Sequence, residues 1–490
     1  MQQKSELPEG WAECEMGDLS TIVGGGTPTT SEPSFFTENG IAWITPADLS
    51  EYTKMYISSG KRSLSESGLK SCSAKIMPAG TVLMSSRAPI GYLAIASNPL
   101  CTNQGFKSFV CKGGVVPEYV YFWLKFKRPL IESMGSGSTF KEVSGSRAKT
   151  IPICISPTSE QHRIVAAIEA LFARLDATNE RLDRVPEIMK AFRQAVLAAA
   201  CDGRLTEEWR GQQVNLPNSH DLLENIKQEW DEFAKATGKK IKPLEPSHDE
   251  RIADLSTLPQ EWTWIRVNEI SSNIVDCLHS TAKFVSSGYY CIDTTCIENS
   301  RICFDKARFV SEETYLDRIR RLKPTEGDIL FSREGTVGTT VIVPKNVDLC
   351  LGQRMMMFRP LQSVMPKFFM YFFQSTTFSN QYKPLIGGTT SPHLNIKDII
   401  QLHFPLCSLP EQQEIVRRVD ALFAFADSVE AKVAAAREKT ERLRQSILAK
   451  AFSGELVPTE AEIARQEGRG YESAGELLER IRKEGKVSAK

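Results

Sequence analysis

The sequence predicts an α+β protein in which two similar α/β domains are separated by two long helices that form an antiparallel coiled coil. The first observation is that "EQHRIVAAIEALFARLD", from Glu160, returns as "EQQEIVRRVDALFAFAD", from Glu411, 251 positions later. The second is that "LPEGW" and "LPQEW", from Leu7 and Leu258, are separated by the same 251 positions. The third is that a block of short β-type runs, broken by Gly, Pro, Ser and Thr, precedes each helix. The chain is therefore an internal tandem pseudo-repeat of two half-molecules.

The two repeated helices carry apolar residues at spacings that alternate between four and three. This period of 3.5 residues is typical of a coiled-coil seam, and two such helices in one chain most simply pair with each other. Pro186 predicts a kink in the first helix, whereas its counterpart Arg437 imposes no break. Ordinary packing in a helical bundle is the alternative. The apolar positions predicted to pair the helices and to dock another protein chain are Ile164, Ile168, Leu171, Phe172, Leu175, Ile415, Val419, Leu422, Phe423 and Val429.

The two blocks that precede the helices share an outline. "GTVLMSSRAPIGYLAIA", from Gly80, parallels "GDILFSREGTVGTTVIV", from Gly327, and both predict a strand, a Ser-Arg turn, a glycine and a second strand. Pro117 and Pro366 each open an apolar run, as proline does in the first turn of a helix. A polar, glycine-rich loop then leads to the last strand of each block. Two copies of one module that differ in their surface loops indicate one scaffold that reads two different targets.

Candidate contact residues lie in those loops and near a basic run, "DRIRRLK", from Asp317. Ser, Thr, Arg and Lys side chains on loops suit hydrogen bonds to phosphates and to base edges. For each residue the alternative is a solvated side chain, or a turn residue that bonds to its own backbone. The candidates are Ser86, Arg87, Thr139, Lys141, Arg320, Arg321, Ser332, Arg333, Thr390 and His393.

Composition and missing motifs narrow the classes of function. The 60 Lys and Arg balance the 60 Asp and Glu, which argues against a strongly basic nucleic-acid binder but leaves local basic faces and basic partners open. The 12 Cys show no metal-type spacing and predict free thiols in a reducing cytosol. No P-loop, nucleophile–base arrangement, signal peptide or membrane span is recognisable. The sequence thus favours a cytoplasmic binding and assembly protein with no catalytic, cofactor-binding or metal residues.

These motifs resemble one known family, the DNA-specificity subunits of type I restriction–modification systems, and look most like its type IA branch. The resemblance covers nearly the whole chain. Its carriers are the paired "EQxxIV" helix starts, the "LPEGW" and "LPQEW" openings, and the runs "FRQAVL…GRLTEEWR" and "RQSILAKAFSGEL". The predicted layout is a first target recognition domain at 1–157, a central long helix at 158–205, a polar linker with a short helix at 206–257, a second target recognition domain at 258–409, a C-terminal long helix at 410–456 and a tail with a short helix at 457–490.

The resemblance implies a function that the missing motifs alone do not give. Each recognition domain would read one half of a bipartite, asymmetric site in double-stranded DNA. The paired helices would set the spacer and dock two modification (methyltransferase) subunits, and two restriction (translocase and nuclease) subunits would join them. S-adenosylmethionine would belong to the modification subunit, and ATP and Mg²⁺ to the restriction subunit. This chain would then be a non-catalytic component, in a bacterial or archaeal cytoplasm, needed for both adenine methylation and restriction.

Two rival functions stay open at this point. The first is a stand-alone scaffold, in which the coiled coil carries two domains that bind protein or glycan. A salt-dependent gel shift with the chain and a methyltransferase partner would separate this scaffold from a specificity subunit. The second is a fused restriction–methylation enzyme, which the missing methyltransferase and nuclease motifs disfavour.

Overall fold

The computed structural model divides the chain into two compact units. Unit 1 comprises Met1–Asp183 and Ala434–Lys490, and unit 2 comprises Arg184–Val433. Each unit therefore contains one of the two variable blocks and a part of both long helices, so the units cut across the linear layout drawn from the sequence. The structure describes residues 6–87, 89–137, 141–238, 255–278, 280–387 and 392–487.

The helices of the described residues include both long helices expected from the repeat. In chain order they are α1 (Met16–Leu19), α2 (Glu66–Lys70), α3 (Pro117–Phe126), α4 (Arg128–Ser133), α5 (Gly145–Lys149), α6 (Thr158–Cys201), α7 (Glu207–Gly211), α8 (Ser219–Thr237), α9 (Glu312–Ile319), α10 (Pro366–Gln374), α11 (Thr376–Tyr382), α12 (Ile396–Ile399), α13 (Leu409–Phe452), α14 (Glu460–Glu467) and α15 (Ala474–Val487). The long helices α6 and α13 have 44 residues each, and α6 continues through Pro186. Within the described part of the chain, no helix is both long and apolar enough to span a bilayer.

The described residues of unit 1 form eleven strands, arranged in a five-stranded sheet, a four-stranded sheet and a two-stranded pair. The strands are β1 (Ala12–Glu15), β2 (Ser20–Gly24), β3 (Phe36–Thr37), β4 (Ile41–Ile44), β5 (Tyr56–Ile57), β6 (Arg62–Leu64), β7 (Val82–Ser86), β8 (Ile90–Ala96), β9 (Cys101–Thr102), β10 (Phe106–Cys111) and β11 (Pro152–Ile155). The strand orders are β2-β10-β7-β8-β5, β3-β6-β4-β9 and β1-β11. Strands β4 and β9 run parallel to each other, as do β5 and β8.

Unit 2 repeats this arrangement with its own strands. They are β12 (Thr263–Arg266), β13 (Ser271–Asp276), β14 (Phe284–Val285), β15 (Tyr289–Ile292), β16 (Ile297–Glu298), β17 (Arg301–Ile302), β18 (Arg308–Val310), β19 (Ile329–Ser332), β20 (Thr340–Ile342), β21 (Leu349–Leu351), β22 (Met355–Pro360) and β23 (His403–Leu406). The orders are β13-β22-β19-β20, β14-β18-β15-β21, β12-β23 and β16-β17, with β15 and β21 parallel. The first three strand orders match those of unit 1 strand for strand, except that β5 of unit 1 has no counterpart in the matching sheet of the described residues of unit 2. This match confirms the prediction of two similar α/β domains.

A buried aromatic helix anchors each block on the long helices. In unit 1, the Phe122 ring of α3 lies 5.8 Å from the Phe172 ring of α6, and the Tyr119 ring lies 5.3 Å from the Phe452 ring of α13. In unit 2, α10 takes the same place and its phenylalanines are fully or almost fully buried. Truncation of a buried Phe to Ala typically costs about 3–5 kcal/mol. The hydrophobic core of each unit is therefore shared between its sheet, its aromatic helix and both long helices.

Within each unit the two long helices run antiparallel. In unit 1, Thr440 donates to the Asn179 side chain at 2.9 Å, and Arg444 and Arg437 pair with Asp176 and Asp183. In unit 2, the Arg193 guanidinium binds Glu430 at 2.8 Å and Asp427 at 2.6 Å. The antiparallel pairing expected from the heptad pattern is thus confirmed. Asn179 and Arg444 show that polar residues also take part in the contact between the two helices.

The repeated Glu-Gln pair fixes the start of each long helix. The indole N–H of Trp11 donates to Glu160 at 2.8 Å, and that of Trp262 donates to Glu411 at 2.9 Å. One residue later, Gln161 and Gln412 each accept the backbone N–H of the residue before the aromatic helix, at 2.9 and 2.8 Å. The four side chains are buried. In each unit, the Glu-Gln pair therefore joins the "LPEGW" or "LPQEW" segment and the aromatic helix to the long helix through buried hydrogen bonds. We call this set of bonds the hook; it centres on Glu160 and Gln161 in unit 1 and on Glu411 and Gln412 in unit 2.

Candidate nucleic-acid interface

In unit 1 the Ser-Arg turn that follows β7 lies against the glycine-rich loop. The backbone N–H of Val143 donates to the Ser86 carbonyl at 3.0 Å, and the N–H of Ser86 donates to the Gly105 carbonyl at 2.7 Å. The loop is closed by a two-way backbone bridge between Ser136 and Glu142. The structure thus brings together two segments that the sequence singled out separately.

The side chains at this edge of unit 1 carry more positive than negative charge. The Lys107 ammonium lies 3.0 Å from the Glu142 carboxylate and donates to the Ser86 hydroxyl at 3.3 Å. The Arg87 guanidinium lies 3.7 Å from the same carboxylate, and Lys141 beside it in the loop is exposed. Ser86 is fully buried, and its hydroxyl accepts the hydrogen bond from Lys107. Two cations share one carboxylate here, with a third cation next to them.

Unit 2 uses the same backbone contacts at the corresponding edge. The N–H of Leu394 donates to the Arg333 carbonyl at 2.8 Å, and the N–H of Arg333 donates to the Arg354 carbonyl at 3.1 Å. A two-way bridge between Gly387 and His393, with both bonds at 3.0 Å, closes the glycine-rich loop. We call these contacts the turn–loop frame. Its members are Ser86, Gly105, Ser136, Glu142 and Val143 in unit 1, and Arg333, Arg354, Gly387, His393 and Leu394 in unit 2.

The charged side chains on the frame of unit 2 are arranged differently. The Arg333 guanidinium makes two hydrogen bonds of 3.0 Å to the Asp276 carboxylate, and both side chains are largely buried. These bonds raise the pKa of Arg333, so its guanidinium stays charged. Arg321 donates to the Asp276 backbone carbonyl at 3.4 Å, which brings two predicted residues to one place. Ser332 is fully buried, and its hydroxyl donates to the Glu334 carbonyl at 3.1 Å.

The two Ser-Arg pairs do not occupy equivalent positions, which corrects the sequence prediction of a shared turn. The backbone bonds of Ser86 correspond to those of Arg333, so Arg87 corresponds to Glu334. Glu142 and His393 also correspond, because each forms the backbone bridge that closes its glycine-rich loop, with Ser136 and Gly387 respectively. The two pairs look alike in sequence, but they are displaced by one position with respect to the sheet. At matching positions of the frame, the two units therefore present different side chains.

Three remaining candidates are not part of either frame as described. Arg320 is exposed and pairs with Asp317 at 3.4 Å. Thr139 and Thr390, each at the tip of a glycine-rich loop in the sequence, lie outside the described residues.

The comparison with known families agrees with this architecture. The family model described as "Type I restriction modification DNA specificity domain" matches residues 8–187 and 264–436, which is well over half of the chain. The chain belongs to this specificity family. The family resemblance predicted from the motifs is therefore confirmed. Each matched region covers one variable block and the first part of the long helix that follows it.

Individual members of the specificity family match to different extents. The chain is 28% identical over 504 residues to the EcoKI specificity subunit of Escherichia coli K12, covering 99% of this chain and 97% of that protein. It is 40% identical over 185 residues to the MjaIX specificity subunit of Methanocaldococcus jannaschii, but spans only 43% of that protein. A solved chain from work titled "Structural basis underlying complex assembly and conformational transition of the type I R-M system" has a TM-score of 0.61 at 19% identity, covering 92% of this chain and 100% of that one. That structure shares the fold.

Half of the apolar helix positions predicted for pairing and for subunit docking are buried core residues of this specificity-family chain. Ile164 and Ile168 are fully buried in the core of unit 1, as Ile415 and Val419 are in that of unit 2. Their burial accounts for the apolar pattern without another chain. Phe172 is also buried, and the others are half-buried, namely Leu171, Leu175, Leu422, Phe423 and Val429. Docking of modification subunits on the helices stays a prediction, and it would need exposed positions such as Ile188 and Phe425.

Sequence reasoning missed several charged residues at the two edges. Lys107 pairs with Glu142 at the edge of unit 1, and Asp276 pairs with Arg333 in unit 2. For Lys107 a signal existed, because a lysine interrupts the apolar strand "FKSFV". For Asp276 no local signal existed, because its partner lies 57 positions away in the sequence.

Proposed function

We propose that this chain is the DNA-specificity subunit of a type I restriction–modification complex, and that each unit reads one half of a bipartite, asymmetric DNA site. The observation that carries the proposal is the turn–loop frame. One backbone arrangement recurs in both units and presents different charged side chains at matching positions. A scaffold that must recognise two unlike half-sites needs this combination, because backbone geometry positions a reader and side chains specify the bases.

The difference extends into the sheet beneath the frame. In unit 1, Lys107 of β10 lies opposite Gly24 of β2, whereas at the matching place in unit 2, Met356 of β22 lies opposite Asp276 of β13. Unit 1 therefore offers an ammonium that can exchange Glu142 for a phosphate or a base acceptor. Unit 2 offers a guanidinium already oriented by a carboxylate. Arginine and lysine in such positions favour guanine O6 and N7 as acceptors.

The partners follow from the same proposal. Two modification subunits that carry S-adenosylmethionine would bind the chain and methylate adenine, and two restriction subunits would use ATP with Mg²⁺ to translocate and cleave DNA. This chain would contribute recognition and geometry to both activities. The paired helices would set the spacer, because a major groove returns to the same side of the duplex only about every 10 bp. A neutral chain can serve in such a complex when its partners supply part of the phosphate contacts.

The proposal is tested by methyladenine mapping in cells that express the chain with its modification subunits. Lys107→Met gives unit 1 the residue found at the matching place in unit 2, and we expect it to relax base preference in one half-site only. The expected loss is about 1–3 kcal/mol of discrimination. Arg333→Ser, which gives unit 2 the residue of unit 1, should relax the other half-site.

Controls separate recognition from folding in this experiment. Lys70→Met changes an exposed lysine of unit 1 that pairs with Glu66 at 3.9 Å, and it should leave the methylated motif unchanged. Arg87→Met, at the more exposed of the two cations that share Glu142, should act in the same half-site as Lys107→Met. If Lys107→Met and Arg333→Ser altered the same half-site, or if methylation showed no bipartite motif, the proposal would be wrong.

A further inference from the structure

Pro186 leaves one backbone carbonyl of α6 without its helical partner. In an α-helix the N–H of each residue donates to the carbonyl four positions earlier, and proline has no N–H. The carbonyl of Leu182 therefore has no intrahelical donor, although α6 continues from Thr158 to Cys201. Such a position is where a long helix bends or loses stiffness.

A side chain of the partner helix reaches this carbonyl. The Arg437 guanidinium of α13 lies 2.6 Å from an Asp183 carboxylate oxygen, and the same nitrogen points to the Leu182 carbonyl at 3.5 Å. Arg437 is also the residue that corresponds to Pro186 in the repeat, 251 positions later. The residue that replaces the proline in the second helix thus compensates for it in the first.

The stretch around this contact combines half-buried apolar residues with polar bonds. The buried core of unit 1 takes residues from α6 up to Phe172, and that of unit 2 takes them from Val196 onward. Between these positions, the ion pairs of Asp176 and Asp183 and the hydrogen bond of Asn179 join α6 to α13 in unit 1. A short apolar seam and a few hydrogen bonds must therefore keep the helix pair stiff where its backbone ladder is interrupted.

We infer that Arg437 is a positioning residue that braces α6 at the gap left by Pro186 and so keeps the DNA spacer at a single length. This inference rests on the proposed function, since spacer length has meaning only if the two units read one bipartite site. Arg437 bridges the free carbonyl of Leu182 and the Asp183 carboxylate, which joins the two helices at the weakest point of α6. Without this brace, the middle of α6 opens more often and DNA sites with neighbouring spacer lengths become acceptable.

The test uses the full chain assembled with its modification subunits and DNA that carries the parental half-sites at a series of spacer lengths. Arg437→Leu should raise methylation at spacers one base pair too short or too long about fivefold, the factor expected from one net hydrogen bond. Amide hydrogen exchange of residues 178–190 should accelerate by a similar factor, about fivefold. Pro186→Ala restores an N–H for the Leu182 carbonyl, so the double variant Pro186→Ala/Arg437→Leu should recover both properties.

Arg442→Leu is the matched control, because Arg442 lies on the same helix and pairs with Glu438 of that helix at 2.7 Å. It should behave as the wild-type chain in both measurements. Wild-type spacer selection and exchange in Arg437→Leu would overturn the inference, and so would a failure of Pro186→Ala to rescue it. If the wild-type complex methylated no bipartite site, the proposed function would fail instead, and hydrogen exchange would still decide whether Arg437 braces the helix.

Discussion

Glu160 of unit 1 and Glu411 of unit 2 hold the same place at the start of the two long helices, yet their charges are compensated differently. Both are buried and both accept a tryptophan indole N–H. Glu411 also forms an ion pair with Arg210 at 2.5 Å and accepts the Thr206 hydroxyl at 2.7 Å. Glu160 instead accepts the backbone N–H of Glu460 at 2.8 Å. Burial raises the pKa of Glu160.

The difference shows which part of the repeat is under geometric constraint. The tryptophan and the glutamate keep their positions, because together they fix the opening segment on the long helix. Each glutamate takes a further hydrogen-bond partner from a segment that follows a long helix. For Glu411 of unit 2 the segment is 202–211, after α6, and for Glu160 of unit 1 it is 457–469, after α13. These segments differ in sequence, so Glu411 is bound by the Arg210 guanidinium and Glu160 by the backbone N–H of Glu460. The two units should therefore respond differently to the same chemical change.

The largest expected effect is the removal of the cation from unit 2. Arg210→Ala leaves the Glu411 carboxylate buried without its ion-pair partner, which should cost about 3–5 kcal/mol of unfolding free energy. Urea unfolding of the full chain, followed by hydrogen exchange in unit 2, measures this loss. Arg204→Ala is the control on the same segment, since Arg204 is exposed and pairs with Asp202. Arg210→Ala/Glu411→Gln should lose less than Arg210→Ala, and an equal loss would show that the buried charge is not the cause.

A smaller effect should distinguish the two tryptophans. Trp11→Phe removes one of the two hydrogen bonds described for Glu160, whereas Trp262→Phe leaves Glu411 with Arg210 and Thr206. We expect a loss of about 1–3 kcal/mol in unit 1 and a loss near ~1 kcal/mol in unit 2. Both indoles are buried, so the change in side-chain volume is the same in both variants. Equal losses in the two units, measured by hydrogen exchange, would contradict the comparison.

The smallest expected effect is a dependence of unit 1 on pH. Because burial raises the pKa of Glu160 above its ordinary value of 4.5, the folded state holds a proton in a window where the unfolded state has lost it. Unit 1 should therefore gain stability as the pH falls from neutrality through that window towards 4.5, by less than about 1.4 kcal/mol per pH unit. Glu160→Gln should remove this gain. If the pH profiles of the wild-type chain and Glu160→Gln were parallel, another group would be responsible.

Periodic patterns in the sequence predicted the fold well, and local likeness predicted the candidate interface poorly. The heptad spacing and the repeat at 251 positions predicted the paired helices and the two similar domains, because a buried face imposes its period over many residues. The Ser-Arg turns looked equivalent because neighbouring letters match, but register in a sheet is set by partners elsewhere in the chain. Ser86 and Ser332 were predicted as contacts and are buried, since a short sequence does not reveal which side of a turn faces the core. The pairing of Arg333 with Asp276 depends on the sheet order, which no local motif encodes.

The most direct test of two different readers on one scaffold is the replacement of residues 7–155 by the corresponding block of another member of the specificity family. The complex that carries this chimera and its modification subunits is mapped for methyladenine across a genome. We predict that the bases of one half-site change, while the other half-site and the spacer length stay as in the parent. A chimera that altered both half-sites, or that left the whole motif unchanged, would contradict the account.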